Sequence, residues 1–178
     1  AYEAQEDFRL LSLLATWMTV HGEYVIVEKF FERYPGSIPT VIHLLAAVAV
    51  EAGSAKWKKW ITCSAKKLEY PVKKSLLESS IAYQGRNEEL VSYGVLVPPK
   101  FLRIRNEDVF TIEELAKDNR QYRNRLIYGA SWRADIISAI EEGLANPSVI
   151  AKTIGCSYEP SHRIFREFSL ARKFAGSS

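Results

Sequence analysis

The 178-residue chain has few cysteines and no long apolar run. Cys63 and Cys156 are far apart and lack metal-site spacing, so we expect two reduced thiols in a cytoplasmic protein. The longest apolar run, Val41 to Val50, contains His43 and is shorter than the roughly 18–20 residues that span a bilayer. The N-terminus shows no secretory signal pattern. The sequence therefore predicts a cytoplasmic protein without a membrane partner.

The sequence also lacks the patterns of a catalytic centre. Its nine glycines are scattered rather than grouped in a phosphate-binding loop, and no serine stands in a nucleophile-elbow context. His43 lies in an apolar helical pattern, so we expect a core histidine rather than a zinc ligand. The adjacent pairs Glu88-Glu89 and Glu113-Glu114 point to different helix faces and form no dyad. We expect no enzyme, no metal and no cofactor.

Apolar and charged side chains are plentiful. A hydrophobic fraction of 47% with 12% aromatics allows a sizeable core and excludes a disordered chain. The net charge is +3, and residues 118–178 hold nine Lys or Arg against six Asp or Glu, while residues 1–117 hold fifteen of each. The excess positive charge therefore lies in the C-terminal part, as attraction to nucleic-acid phosphates requires.

Apolar residues at helical spacing dominate the first part of the chain. They predict helices over residues 7–20, 24–34 and 39–52, and the last of these is apolar nearly all round, which indicates burial at the centre of a bundle. We therefore predict a mostly α fold class, with an N-terminal helical bundle over residues 1–95. Its role is unknown, and dimerisation or sensing of an effector are the hypotheses that the layout suggests.

A lysine-rich stretch follows this bundle centre. Seven lysines between Lys56 and Lys74 surround Trp57, Trp60 and Ile61. One interpretation is a basic surface that helps to grip DNA. The other, which we favour, is a solvated face anchored to the core by its tryptophans, with Pro71 dividing two short helices.

Residues 96–117 are predicted to connect two domains. Before them, Asn87 is expected to cap a helix of one or two turns that Gly94 ends. Pro98-Pro99 imposes extended backbone. Residues 101–112 fit either a small β-hairpin or an extended segment that enters a helix capped by Thr111, and we favour the second.

The most informative stretch is residues 132–170, where three helical patterns each have a stop signal. Asn146-Pro147 begins the second helix, Gly155 ends it, and Ser157 caps the third. We interpret the stretch as a helix-turn-helix within a domain over residues 118–178. The side chains expected to face inward are Tyr122, Leu126, Ile127, Trp132, Ile136, Ile137, Ile140, Leu144, Ile150, Ala151, Ile154, Ser161, Ile164, Phe165 and Phe168.

This arrangement leaves one face of the third helix open. Its residues are Tyr158, Glu159, His162, Arg163 and Arg166. Such a face can enter a DNA major groove, where arginine forks onto guanine and polar neighbours touch phosphates or base edges. The alternative interpretation is a three-helix bundle whose polar face meets water.

Two flanking sets complete the predicted DNA contacts. Ser157 and the backbone N–H groups at the start of the third helix would meet phosphate. Arg125 and Arg133 are candidate contacts to the DNA backbone.

At these residues the chain resembles a known family. YRNRLIYGASWRADIISAI followed by NPSVIAKTIGCSYEPSHRIFREF is similar to the DNA-binding domain of prokaryotic winged-helix regulators, in the broad layout of the ArsR and MarR groups. The resemblance covers about residues 120–170 and implies a recognition helix over Ser157–Leu170. Such domains continue into a two-stranded wing, which is expected to be missing here: either it is absent or it lies beyond the sequence.

The resemblance implies transcriptional regulation by binding double-stranded DNA, with a homodimer for a palindromic site. A second hypothesis is a non-catalytic adaptor that uses the helix-turn-helix for assembly. The adaptor predicts an exposed apolar patch, for which Trp57 and Trp60 are candidates.

Overall fold

The computed structural model describes residues 7–33, 39–64 and 80–175. Over these ranges the protein is mostly α-helical, with short 3₁₀ turns and no β-strand, which confirms the mostly α fold class. Residues 101–111 form no hairpin but an irregular segment with one 3₁₀ turn, and a helix begins at Ile112. The chain divides into two compact units, Ala1–Ile112 and Glu113–Ser178, and the division lies within the predicted connector 96–117.

The helices of the N-terminal unit largely follow the predicted pattern. They are α1 (Phe8–His21), α2 (Glu28–Arg33), α3 (Thr40–Glu51), α4 (Ala55–Ser64) and α5 (Glu88–Val91), and residues 80–84 are also helical. Asp7 begins α1 because its carboxylate accepts hydrogen bonds from the N–H groups of Arg9 and Leu10, at 2.9 and 3.0 Å. The predicted helix over 24–34 is wrong at its start, since Gly22–Tyr24 is a 3₁₀ turn and Val25 is extended. Tyr34 and the part of the predicted helix after Pro71 that precedes residue 80 lie outside the described residues.

Helix α3 forms the centre of this unit. Every residue from Val41 to Ala49 is buried, as its uniformly apolar sequence predicts, and α1 and α4 pack against it. Trp57 and Trp60 are each 1% exposed, and the indole N–H of Trp57 donates to the carbonyl of Gly22 at 2.8 Å. The tryptophans therefore anchor α4 to the core, while Lys58 and Lys59 are exposed. The expectation of an exposed patch at these tryptophans is wrong. The lysines at 66, 67, 73 and 74 lie outside the described residues.

Two buried histidines tie the segment after α5 to the helices. Nε2 of His43 lies 2.6 Å from the carbonyl oxygen of Tyr93, and Nε2 of His21 lies 2.9 Å from that of Phe110. Since a carbonyl only accepts, both Nε2 atoms carry a proton and donate. Burial lowers the pKa of both histidines, more than these hydrogen bonds raise it. His43 is thus the core histidine that its apolar helix predicted.

The C-terminal unit is built from helices joined by short turns. These are α6 (Ile112–Asp118), which begins at the division, α7 (Arg120–Tyr128), α8 (Trp132–Glu141), α9 (Pro147–Ile154) and α10 (Tyr158–Ala175). The side-chain oxygens of Asn119 and Asn146 accept backbone N–H groups at the starts of α7 and α9. Ile136, Ile150 and Ile164 form the core among α8, α9 and α10.

One inward prediction in this unit is wrong. Tyr122 is buried as expected, but Ile127 is 65% exposed. Helix α7 instead buries Asn124, whose amide donates to the Ser138 hydroxyl at 2.9 Å and to the Glu141 carboxylate at 2.8 Å. These polar partners on α8 satisfy a side chain that would otherwise be costly to bury.

Within the described ranges, no helix is both long enough and apolar enough to cross a membrane.

Candidate nucleic-acid interface

The turn between α9 and α10 fixes how α10 is presented. Gly155 has the left-handed backbone conformation (φ 79°, ψ 33°), and its N–H donates to the carbonyl of Ala151 at 2.9 Å. The N–H of Cys156 donates to the same carbonyl at 3.0 Å. In the first turn of α10, the buried Ser161 hydroxyl donates to the carbonyl of Pro147 at 2.7 Å. Helix α10 is therefore held at both ends of α9.

The buried stripe of α10 determines which residues face outward. Ser161 and Ile164 are buried, and Phe165 and Phe168 pack half-buried against the core of the unit. The opposite side carries the five predicted contact residues of α10, all of them exposed. We call this set the α10 face: Tyr158, Glu159, His162, Arg163 and Arg166. Together with Glu167 and Leu170 it lines a shallow depression of about 400 Å³.

Contacts within the α10 face leave most of its polar groups accessible. The rings of Tyr158 and His162 stack with centroids 5.5 Å apart, and Nε of Arg163 lies 3.9 Å from a carboxylate oxygen of Glu159. Both contacts are exposed, and surface ion pairs of this kind are weak. The Arg166 guanidinium forms no hydrogen bond or ion pair with any described residue. Its N–H donors are therefore available to a ligand.

The other three predicted contact residues lie in different surroundings. Ser157 is exposed just before α10. On α8, Nη1 of Arg133 lies 2.9 Å from the Glu167 carboxylate, and both side chains are about half exposed. This pair links α8 to α10 at the border of the α10 face, so Arg133 is committed to a protein contact but remains accessible.

Arg125 is part of a buried ion pair. Its Nε and Nη2 donate to the two carboxylate oxygens of Asp135 at 2.8 and 3.0 Å, and the Asp135 side chain is 0% exposed. This two-pronged bond joins α7 to α8. The structure therefore gives Arg125 a part in holding the unit together, separate from the α10 face.

Helix α9 adds polar residues that the sequence analysis did not single out. Ser148, Lys152 and Thr153 are exposed on it. An ammonium and two hydroxyls are suitable donors to phosphate oxygens. Their outward positions follow from the inward Ile150 and Ala151, so the sequence carries a signal for them.

The chemistry of the α10 face suits polar recognition. Arginine can fork onto the O6 and N7 acceptors of guanine, and a carboxylate such as that of Glu159 can accept from cytosine N4. Within the part of the chain that the structure describes, no group of three or more His, Cys, Asp or Glu side chains is placed to hold a metal ion.

Comparison of the chain with known protein families, curated proteins and solved structures finds no match. The resemblance to winged-helix regulators therefore depends on the sequence of residues 120–170 alone.

Proposed function

We propose that the C-terminal unit binds double-stranded DNA through the α10 face, and that the protein is a helix-turn-helix transcriptional regulator. The observation that carries this proposal is the outward position of Arg163 and Arg166 on a helix whose opposite side is buried. An exposed α-helix fits the major groove of B-DNA.

Each side chain has a distinct part in this proposal. Arg163 and Arg166 reach base edges or phosphates, with Tyr158 and His162 beside them. Ser157 and the N–H groups at the start of α10 meet a phosphate, where the helix dipole also favours negative charge. Lys152 contributes a further phosphate contact. One such helix covers only a few base pairs, so a palindromic site requires a homodimer.

The test is fluorescence anisotropy of a random-sequence duplex at several salt concentrations. We expect the logarithm of the affinity to fall linearly with the logarithm of the salt concentration. The Arg163→Ala/Arg166→Ala variant should bind more weakly, and its salt slope should be smaller by about two, roughly one unit for each lost phosphate contact. The matched control is Lys58→Ala/Lys59→Ala, which removes the same charge from the exposed side of α4 and should bind like the wild type.

Two results would contradict the proposal. The first is that the wild type shows no affinity for duplex even at low salt. The second is that the control variant loses as much affinity as the arginine variant. The second result would mean that net charge alone, rather than the α10 face, attracts the duplex.

One observation favours the adaptor as a second candidate. Leu170 and Phe174 are 55% and 71% exposed on the last turns of α10, where apolar side chains suit a protein partner. The adaptor hypothesis predicts no affinity for duplex. It also predicts a self-association, measured by sedimentation equilibrium, that the Leu170→Ser/Phe174→Ser variant loses. The regulator predicts that this variant still binds random-sequence duplex.

A further inference from the structure

A groove of about 310 Å³ lies on the N-terminal unit between α1, α3, α5 and the segment 100–104. Its floor is apolar: Val48 and Leu90 are buried, and Phe101 and Leu102 are half-buried. Ile104 extends this apolar surface toward solvent, with 41% exposure. Ligand pockets in proteins start at about 300 Å³, so this groove suits a small molecule.

Charged side chains stand at the edge of this floor. Glu51, Glu89 and Lys100 line the groove and are all exposed. The Glu51 carboxylate interacts with the Tyr93 hydroxyl and raises the pKa of Tyr93. Glu51 is therefore already engaged within the protein.

Glu89 and Lys100 remain uncommitted. Neither side chain forms an ion pair or a hydrogen bond with any residue that the structure describes. The groove thus offers one carboxylate and one ammonium at the border of an apolar surface.

The backbone at Lys100 is also unusual. Its φ of 59° makes it the one non-glycine residue with positive φ among those described. Glycine or asparagine would adopt this conformation with less strain, so a lysine here is held against its backbone preference. The conformation belongs to a turn that the Phe101 N–H closes on the carbonyl of Pro98 at 3.3 Å, and Lys100 lies on the edge of the groove.

We propose that this groove binds an α-amino acid with an apolar side chain, of the leucine or phenylalanine class. The ammonium of the ligand pairs with Glu89, its carboxylate pairs with Lys100, and its side chain covers the apolar floor. The N-terminal unit then binds an effector, a role independent of whether the α10 face binds DNA.

The proposal is tested by calorimetric titration of the full chain with L-leucine and L-phenylalanine. Two analogues keep the body of leucine and lack one charge: isoamylamine has no carboxylate and 4-methylpentanoate has no ammonium. We expect both amino acids to bind, and each analogue to bind about tenfold more weakly, as for loss of one charge-assisted hydrogen bond. Amide resonances of Leu90, Phe101 and Leu102 should shift with the amino acids.

Variants assign the two charges. Glu89→Gln and Lys100→Gln should each weaken leucine binding about tenfold. Glu88→Gln is the control on α5, because Glu88 pairs with Arg86 at 2.9 Å and does not line the groove. Lys58→Gln is the control for loss of an exposed ammonium. Both controls should bind leucine like the wild type.

Three outcomes would overturn the proposal. The first is that the amino acids give no heat and no resonance shift up to about 10 mM, a concentration at which even weak binding would be detected. The second is that isoamylamine or 4-methylpentanoate binds as tightly as leucine. The third is that the Glu89 and Lys100 variants bind leucine like their controls.

Discussion

Replacing Arg125 with methionine should strongly destabilise the C-terminal unit. The substitution leaves the Asp135 carboxylate, which is 0% exposed, without the guanidinium that holds both of its oxygens. Breaking a buried ion pair from one side costs about 3–5 kcal/mol, because the remaining charge stays buried after it loses the guanidinium. The free energy of unfolding of a unit this size is about 3–10 kcal/mol in total. The loss is therefore comparable to the stability of the unit itself.

Two further variants give this prediction its scale. Arg125→Lys keeps the charge but loses the two-pronged geometry, and should cost about 1–2 kcal/mol. Arg123→Met lies on the same helix, where Arg123 is exposed and donates only to the carbonyls of Ala116 and Lys117. This control should change the free energy of unfolding by less than about 1 kcal/mol.

The assay is urea unfolding of the full chain followed by the indole N–H resonance of Trp132, which reports on the C-terminal unit alone. The opposite result would be that Arg125→Met and Arg123→Met lower the free energy of unfolding equally. That result would mean that Asp135 does not depend on Arg125, and that Arg125 is an ordinary surface arginine.

Three other perturbations test the packing within each unit. Ile164→Ala removes a side chain that is 4% exposed in the core of the C-terminal unit and should cost about 2–5 kcal/mol in urea unfolding. The pKa of His21 and of His43 is lowered from 6.5, so the stability that they contribute when neutral is complete above pH 6.5 and should be lost as the pH falls through their folded-state pKa values. Urea unfolding from pH 7.5 to 5 measures this loss. His43→Gln should flatten the dependence of the unfolding free energy on pH. A Cβ on Gly22 would lie 3.0 Å from Cβ of Ala49, so Gly22→Val should lower the free energy of unfolding by about 1–3 kcal/mol. An unchanged melting temperature would show that the 3₁₀ turn Gly22–Tyr24 and α3 are further apart.

Local signals in the sequence were sufficient to predict much of the fold. Asn146 and Gly155 begin and end α9 through contacts within a few residues, and such short-range chemistry is visible in sequence. The exposure of the α10 face likewise follows from the apolar stripe opposite to it. Whether that face binds DNA is a question about its partner, and it stays a prediction.

The failures have tertiary causes. Apolar spacing predicts a helix from Tyr24, but Gly22–Tyr24 forms a 3₁₀ turn. The Gly22 carbonyl in this turn accepts a hydrogen bond from the indole N–H of Trp57 on α4. Spacing also predicted Ile127 inward, whereas α7 buries Asn124 because Ser138 lies opposite on α8. Periodicity counts apolar residues and has no information about polar partners on another helix.

The same limit applies to the sites. The commitment of Arg125 to Asp135 and of Arg133 to Glu167 depends on how helices pack in space. The groove beside Lys100 is assembled from three helices and a segment that are separated in sequence.

The most direct test of the proposed function is amide resonance mapping of the full chain with a short random-sequence duplex at low salt. We expect the largest shifts at residues 157–166 and smaller ones at Lys152 and Thr153. The amides of α4 should be unaffected despite its lysines. Shifts confined to α4, or no shifts at a duplex concentration that saturates anisotropy, would contradict the assignment of DNA binding to the α10 face.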